Sequence, residues 1–112
     1  MLLASGVAWA WTFIDCTGGL CQGTSENDSI QGTAGLDEIK AFVGRDRVEA
    51  RRGSDVVYGH SGNDILSGQR GIDQVFGGKN ADELYGNEGR DKLYGGGGPD
   101  YIESAADEYG TT

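Results

Sequence analysis

The chain has 112 residues, with 21 glycines, one proline, and 18 acidic residues against 9 basic ones, for a net charge of −9. That length holds one domain. The glycines follow no Gly-X-Y period, which excludes collagen, and the acidic balance argues against a nucleic-acid partner. Nine of the 18 acids stand at one repeated position described below, and the other nine balance the nine bases, so the whole net charge resides in that position.

Residues 1–11 are apolar and uncharged, and Ala8, Trp9 and Ala10 read as the A-x-A site that closes a signal-peptide hydrophobic region. A basic n-region is missing. One reading is therefore a signal-peptide remnant over 1–10, with a start assigned too late and a mature chain beginning near Trp11; the other is a first strand that caps the fold. A membrane span is not expected, because crossing takes about 20 apolar residues. Residues 11–22 read as an N-terminal cap. Cys16 and Cys21 lie there in a glycine-containing stretch that suits a small local disulfide in an oxidising compartment, with free thiols as the alternative. A zinc site would need two further ligands, and His60 is the sole histidine.

From residue 23 to residue 103 the chain repeats every nine residues. Asp28, Asp37, Asp46, Asp55, Asp64, Asp73, Asp82, Asp91 and Asp100 mark the period, and two places after each stands an aliphatic: Ile30, Ile39, Val48, Val57, Leu66, Val75, Leu84, Leu93 and Ile102. Five places before the aspartate is Gly23, Gly32, Gly59, Gly68, Gly77, Gly86 or Gly95, with Ala41 and Ala50 in the remaining two repeats. Two places before it is Gly35, Gly44, Gly53, Gly62, Gly71, Gly89 or Gly98, with Glu26 and Asn80 as departures. Glycines at these two places permit positive φ and a tight turn. Each nonapeptide thus predicts a six-residue turn and a three-residue strand. Such strands bury too little to stand alone and must stack. The expected fold is all-β: a right-handed parallel β-roll, a β-solenoid with two nonapeptide repeats per coil and the aliphatics of both walls meeting in a narrow core.

In that fold the aspartates form two columns, 28, 46, 64, 82 and 100 on one edge and 37, 55, 73 and 91 on the other. Neighbours in a column lie about one strand spacing apart, roughly 4.8 Å. Like charges so close repel and raise each other's pKa, so the arrangement calls for a cation between them. Carboxylate and turn carbonyl oxygens together make the hard-oxygen environment of calcium, whereas magnesium demands a stricter octahedron.

These residues resemble the haemolysin-type calcium-binding repeat of the repeats-in-toxin (RTX) family, G-G-x-G-x-D-x-U-x, over residues 23–103. The resemblance implies that each calcium sits between the turn of one repeat and that of the repeat after next. Asp64 and Asp82 would share an ion with turns 59–64 and 77–82, Asp73 and Asp91 with turns 68–73 and 86–91, and Asp82 and Asp100 with turns 77–82 and 95–100. Gly59, Gly62, Gly68, Gly71, Gly77, Gly86, Gly89, Gly95 and Gly98 belong to those turns. Asp28, Asp37, Asp46 and Asp55 complete the metal set, and nine turns allow at most seven sandwiched ions. Weak or absent sites are expected at turns 41–46 and 50–55, where alanine leads and Arg45, Arg51 and Arg52 come near the columns.

Tyr58, Phe76 and Tyr94 recur at 18-residue spacing and predict a stacked ladder on one wall, with Tyr85 on the other. His60 is expected to be a solvated turn residue. A hydrolytic triad has no histidine in a matched position, so no enzyme is expected. The function these observations predict is extracellular calcium binding, with calcium as folding cofactor of a secreted or cell-surface module. The alternative is a structural or adhesive solenoid with partly vestigial sites. Residues 104–112 read as a C-terminal tail or cap; incomplete caps would leave end-to-end self-association or cell-surface contact.

Overall fold

The computed structural model describes residues 11–104. The signal-like segment 1–10 and the tail from 105 to 112 lie outside the described residues. Within them the chain is all-β, with eleven strands: β1 (Thr12–Asp15), β2 (Gly19–Gln22), β3 (Asp28–Gln31), β4 (Asp37–Lys40), β5 (Arg47–Glu49), β6 (Val56–Tyr58), β7 (Ile65–Ser67), β8 (Gln74–Phe76), β9 (Glu83–Tyr85), β10 (Lys92–Tyr94) and β11 (Tyr101–Glu103). No helix among the described residues is long and apolar enough to cross a membrane.

Every strand pairs in parallel with the strand after next. One sheet runs β1-β3-β5-β7-β9-β11 and the other β2-β4-β6-β8-β10, which makes a β-solenoid of about five turns. The nine-residue period sets this topology. A three-residue strand turns its middle side chain inward and its flanks outward, and a six-residue turn carries the chain to the opposite sheet. Ile30, Ile39, Val48, Val57, Leu66, Val75 and Leu84 are the inward residues, and all are buried to 1 % exposure or less. Ala41 and Ala50 join them in the core, while Ile14, Cys16 and Leu93 pack against its ends.

The segment before the repeats contributes a strand pair. Ile14 stands opposite Ile30 and Cys21 opposite Ile39, so β1 and β2 continue the two sheets. Ile14 and Cys21 are seven residues apart where the repeat has nine, and the shortened turn between them uses Gly18 and Gly19 at φ 104° and 72°. A disulfide joins Cys16 to Cys21 across this turn.

The aromatic ladder forms on the sheet containing β6, β8 and β10. Tyr58 stacks on Phe76 at 5.1 Å and Phe76 on Tyr94 at 4.9 Å between ring centroids, with interplanar angles of 10° and 8°. His60 is exposed, as its turn position suggests, and its ring also stacks 5.3 Å from Phe42 and 5.8 Å from Tyr58. Tyr85 is on the other sheet, tilted against Tyr101.

Candidate metal centre

The turns bring the aspartates into the two expected columns and bury them. Asp28, Asp37, Asp46, Asp55, Asp64, Asp73 and Asp82 are all buried, and Asp91 and Asp100 partly so. Each is tied to the next in its column by one hydrogen bond: the Asp28 N–H donates to Asp46 Oδ1 at 2.8 Å, Asp46 to Asp64 at 2.9 Å, Asp64 to Asp82 at 2.9 Å and Asp82 to Asp100 at 2.9 Å. On the other edge Asp37, Asp55 and Asp73 donate likewise to Asp55, Asp73 and Asp91, each at 2.8 Å. Oδ1 is thereby satisfied. Oδ2 is not: in Asp46, Asp55, Asp64, Asp73 and Asp82 it is buried without a hydrogen-bond partner.

A buried, unpartnered carboxylate oxygen is unfavourable unless a proton or a cation neutralises it. The acidities reflect this. Burial, chiefly, pushes Asp64 and Asp73 up to about 8, Asp46 to about 7, and Asp55 and Asp82 to about 6. The backbone N–H bond acts in the opposite sense, and the neighbouring carboxylates of the column add to the rise. Asp91 is raised too, again mainly by burial.

Glycine serves these turns differently from the sequence expectation. Positive φ falls at the second and fourth places of the turn, not at the first and fourth: Phe42, Arg51, His60, Gln69, Gly78, Asn87 and Gly96 at the second, and Gly44, Gly53, Gly62, Gly71, Asn80, Gly89 and Gly98 at the fourth. The first glycine is required for close approach instead. A Cβ on Gly59 would lie 2.6 Å from Asp64 Oδ2 and 2.8 Å from the carbonyl oxygen of Gly77, and one on Gly77 would lie 2.7 Å from both Asp82 Oδ2 and the Gly95 oxygen. A carboxylate oxygen and a carbonyl from the turn above thus converge with no donor between them. Oxygen-only surroundings of this kind fit a hard cation such as calcium. Among the described residues no three acidic, histidine or cysteine side chains cluster around one point, so backbone carbonyls would complete any ligand shell. A cavity of about 790 Å³ lined by Asp64, Asp82 and Asp100, with Arg45, Asn63 and Tyr101, opens one column to solvent.

The departures from the motif have separate consequences. In turns 41–46 and 50–55 the buried methyls of Ala41 and Ala50 stand where the other turns admit only glycine, yet their backbones follow the later turns. Arg45, Arg51 and Arg52 do not act as counter-ions to the columns: the ion pairs among the described residues are Lys40–Glu38, Arg47–Glu49 and Arg70–Glu88, and the Arg51 guanidinium donates to Gln31. Asn80 takes the left-handed conformation at φ 78°, and its Oδ1 accepts from Gly62 N–H at 2.8 Å. The larger conformational departure is at turns 23–28 and 32–37, where Thr24 and Thr33 hydrogen-bond to Asp28 and Asp37.

A parallel solenoid that stacks buried carboxylates, each with an unpartnered oxygen, beside turn carbonyls defines a cation-binding repeat protein. The chain belongs to the RTX calcium-binding nonapeptide repeat family, whose model of four copies matches residues 22–57, 41–75 and 67–102. No curated protein and no solved structure matches it. Membership implies calcium binding in a β-roll.

Proposed function

We propose that calcium is the folding and stabilising cofactor of this chain and that the chain works outside the cell. The observation that carries this reading is the row of five buried Oδ2 atoms without partners. Asp64, Asp73, Asp82, Asp91 and Asp100, with turn residues Gly59, Gly62, Gly68, Gly71, Gly77, Gly86, Gly89, Gly95 and Gly98, would hold the ions of the C-terminal half; Asp28, Asp37, Asp46 and Asp55 line the N-terminal half. Bound calcium would supply the positive charge that the columns lack. A cation taken up only by the folded chain stabilises it by mass action. The Cys16–Cys21 disulfide supports an oxidising destination, as does the usual secretion of RTX-repeat proteins.

The test is far-UV circular dichroism of the chelated protein at pH 8, titrated with calcium and separately with magnesium. A change from disorder to β-structure with calcium alone is expected, and it should vanish on replacing Asp64, Asp73, Asp82 and Asp91 with alanine. A complete β-spectrum in chelator, unchanged by calcium, would instead favour a structural solenoid. That second reading is supported by the methyls of Ala41 and Ala50, which fill space beside the columns.

A further inference from the structure

We infer that Thr24 and Thr33 close the first two turns to calcium, so that ion binding begins only with the pairing of Asp46 and Asp64. The inference rests on the calcium reading of the turns and assigns which of them take part.

In turn 23–28 the Thr24 N–H donates to Asp28 Oδ2 at 2.7 Å, its hydroxyl donates to Asp28 Oδ1 at 2.7 Å, and the same hydroxyl oxygen accepts from Glu26 N–H at 3.0 Å. Turn 32–37 repeats the arrangement. Thr33 N–H reaches Asp37 Oδ2 at 2.7 Å, the hydroxyl reaches Asp37 Oδ1 at 2.9 Å, and Gly35 N–H donates back to it at 3.1 Å. Both oxygens of each carboxylate therefore have donors within their own turn, whereas every unpartnered Oδ2 belongs to a turn from Asp46 onward.

The backbone changes with the side chain. All seven later turns have positive φ at the second and fourth places, while Thr24, Glu26, Thr33 and Gly35 do not. A β-branched residue is disfavoured in the left-handed region, and with φ outside it the second N–H faces the carboxylate. A cation bound by Asp28 or Asp37 would have to displace two charge-assisted hydrogen bonds, which are the stronger kind, and reorganise the backbone of the turn. The threonine donors thus stand in for the positive charge. Of the seven pairings that nine stacked turns allow, 28 with 46 and 37 with 55 are closed. Asp46 and Asp55 keep an unpartnered Oδ2 and the later turns' backbone despite Ala41 and Ala50, so against the sequence expectation their pairings with Asp64 and Asp73 count as open, leaving five.

The experiment is calcium stoichiometry by equilibrium dialysis on the full chain with calcium chloride. The unmodified chain should bind five ions. Replacing both threonines, T24G and T33G, should raise the number toward seven, and the conservative pair T24S and T33S should leave it at five. The converse variant Gln69→Thr, which places the same residue in turn 68–73, should release at least one ion and stays informative if the glycine pair folds poorly. Equal stoichiometry in the unmodified, glycine-pair and Gln69→Thr proteins overturns this inference alone. No calcium bound by any of them overturns the calcium reading, and this inference with it.

Discussion

Glycine at the first place of a turn and glycine at the fourth answer different physical demands. At the first the demand is contact with the aspartate and a carbonyl; at the fourth it is backbone sign as well as contact. Gly62 sits at φ +105°, and a Cβ there would lie 1.9 Å from the carbonyl oxygen of Gly44. Gly97 would meet nothing within 4 Å and needs no positive φ. Gly62→Ala should therefore lower stability in saturating calcium by about 3 kcal/mol or more, since strain and backbone collision combine. Gly97→Ala should stay within about 0.5 kcal/mol. Urea unfolding of the two variants checks the contrast, and equal effects would refute the stated roles. The glycine positions were readable in the sequence, but the second-place left-handed residues were not, because Phe42, Arg51 and Gln69 carry no propensity for that region. The threonine locks did leave a signal, a threonine four places before the repeat aspartate at 24 and 33. It is visible only once the hydrogen-bonding reach of Thr to Asp in the same turn is considered.

At the level of strands, each three-residue element from β5 to β9 buries one side chain, whereas at the C-terminal end Leu93 is only partly buried and Ile102, expected in the core, is exposed. Most of what distinguishes one strand from another lies on its outer face. Strand spacing forces rings in register to sit nearly face to face, which is why Tyr58, Phe76 and Tyr94 stack at 5.1 and 4.9 Å. Phe76 is the middle ring, so Phe76→Ala removes two stacked contacts. Each such pair is worth about 0.5–1.5 kcal/mol beyond area burial, and a loss of about 1–3 kcal/mol in chemical unfolding is expected, with calcium saturating. An unchanged midpoint would mean that the ladder contributes nothing to stability. The ladder was legible from its 18-residue spacing, as were nine of the eleven strands from the repeated aspartate and aliphatic. β1 and β2 were hidden. Their seven-residue interval breaks the period, their turn has no repeat aspartate, and a cysteine replaces one core aliphatic.

For the molecule as a whole, the columns make stability depend on pH in opposite senses with and without calcium. In the metal-free chain Asp46, Asp55, Asp64, Asp73 and Asp82 titrate at about 6 to 8, above the 3.8 of an unhindered carboxyl. The folded state therefore holds protons that the unfolded state has released. Stability falls wherever the unfolded state binds fewer protons. The contribution of these groups is thus fully present below about pH 4, declines as pH rises through the interval, and is gone above about pH 8. Calcium competes with the same protons, so its stabilisation grows over the interval in which theirs is lost. In chelator a cooperative melt is expected at pH 5 and little folded baseline at pH 8; in millimolar calcium the melting temperature should be higher at pH 8 than at pH 5. Thermal melts at the two pH values, with and without calcium, decide it. The same order in both series would mean that ions and protons do not share the aspartates, and the columns would then owe their burial to something other than calcium.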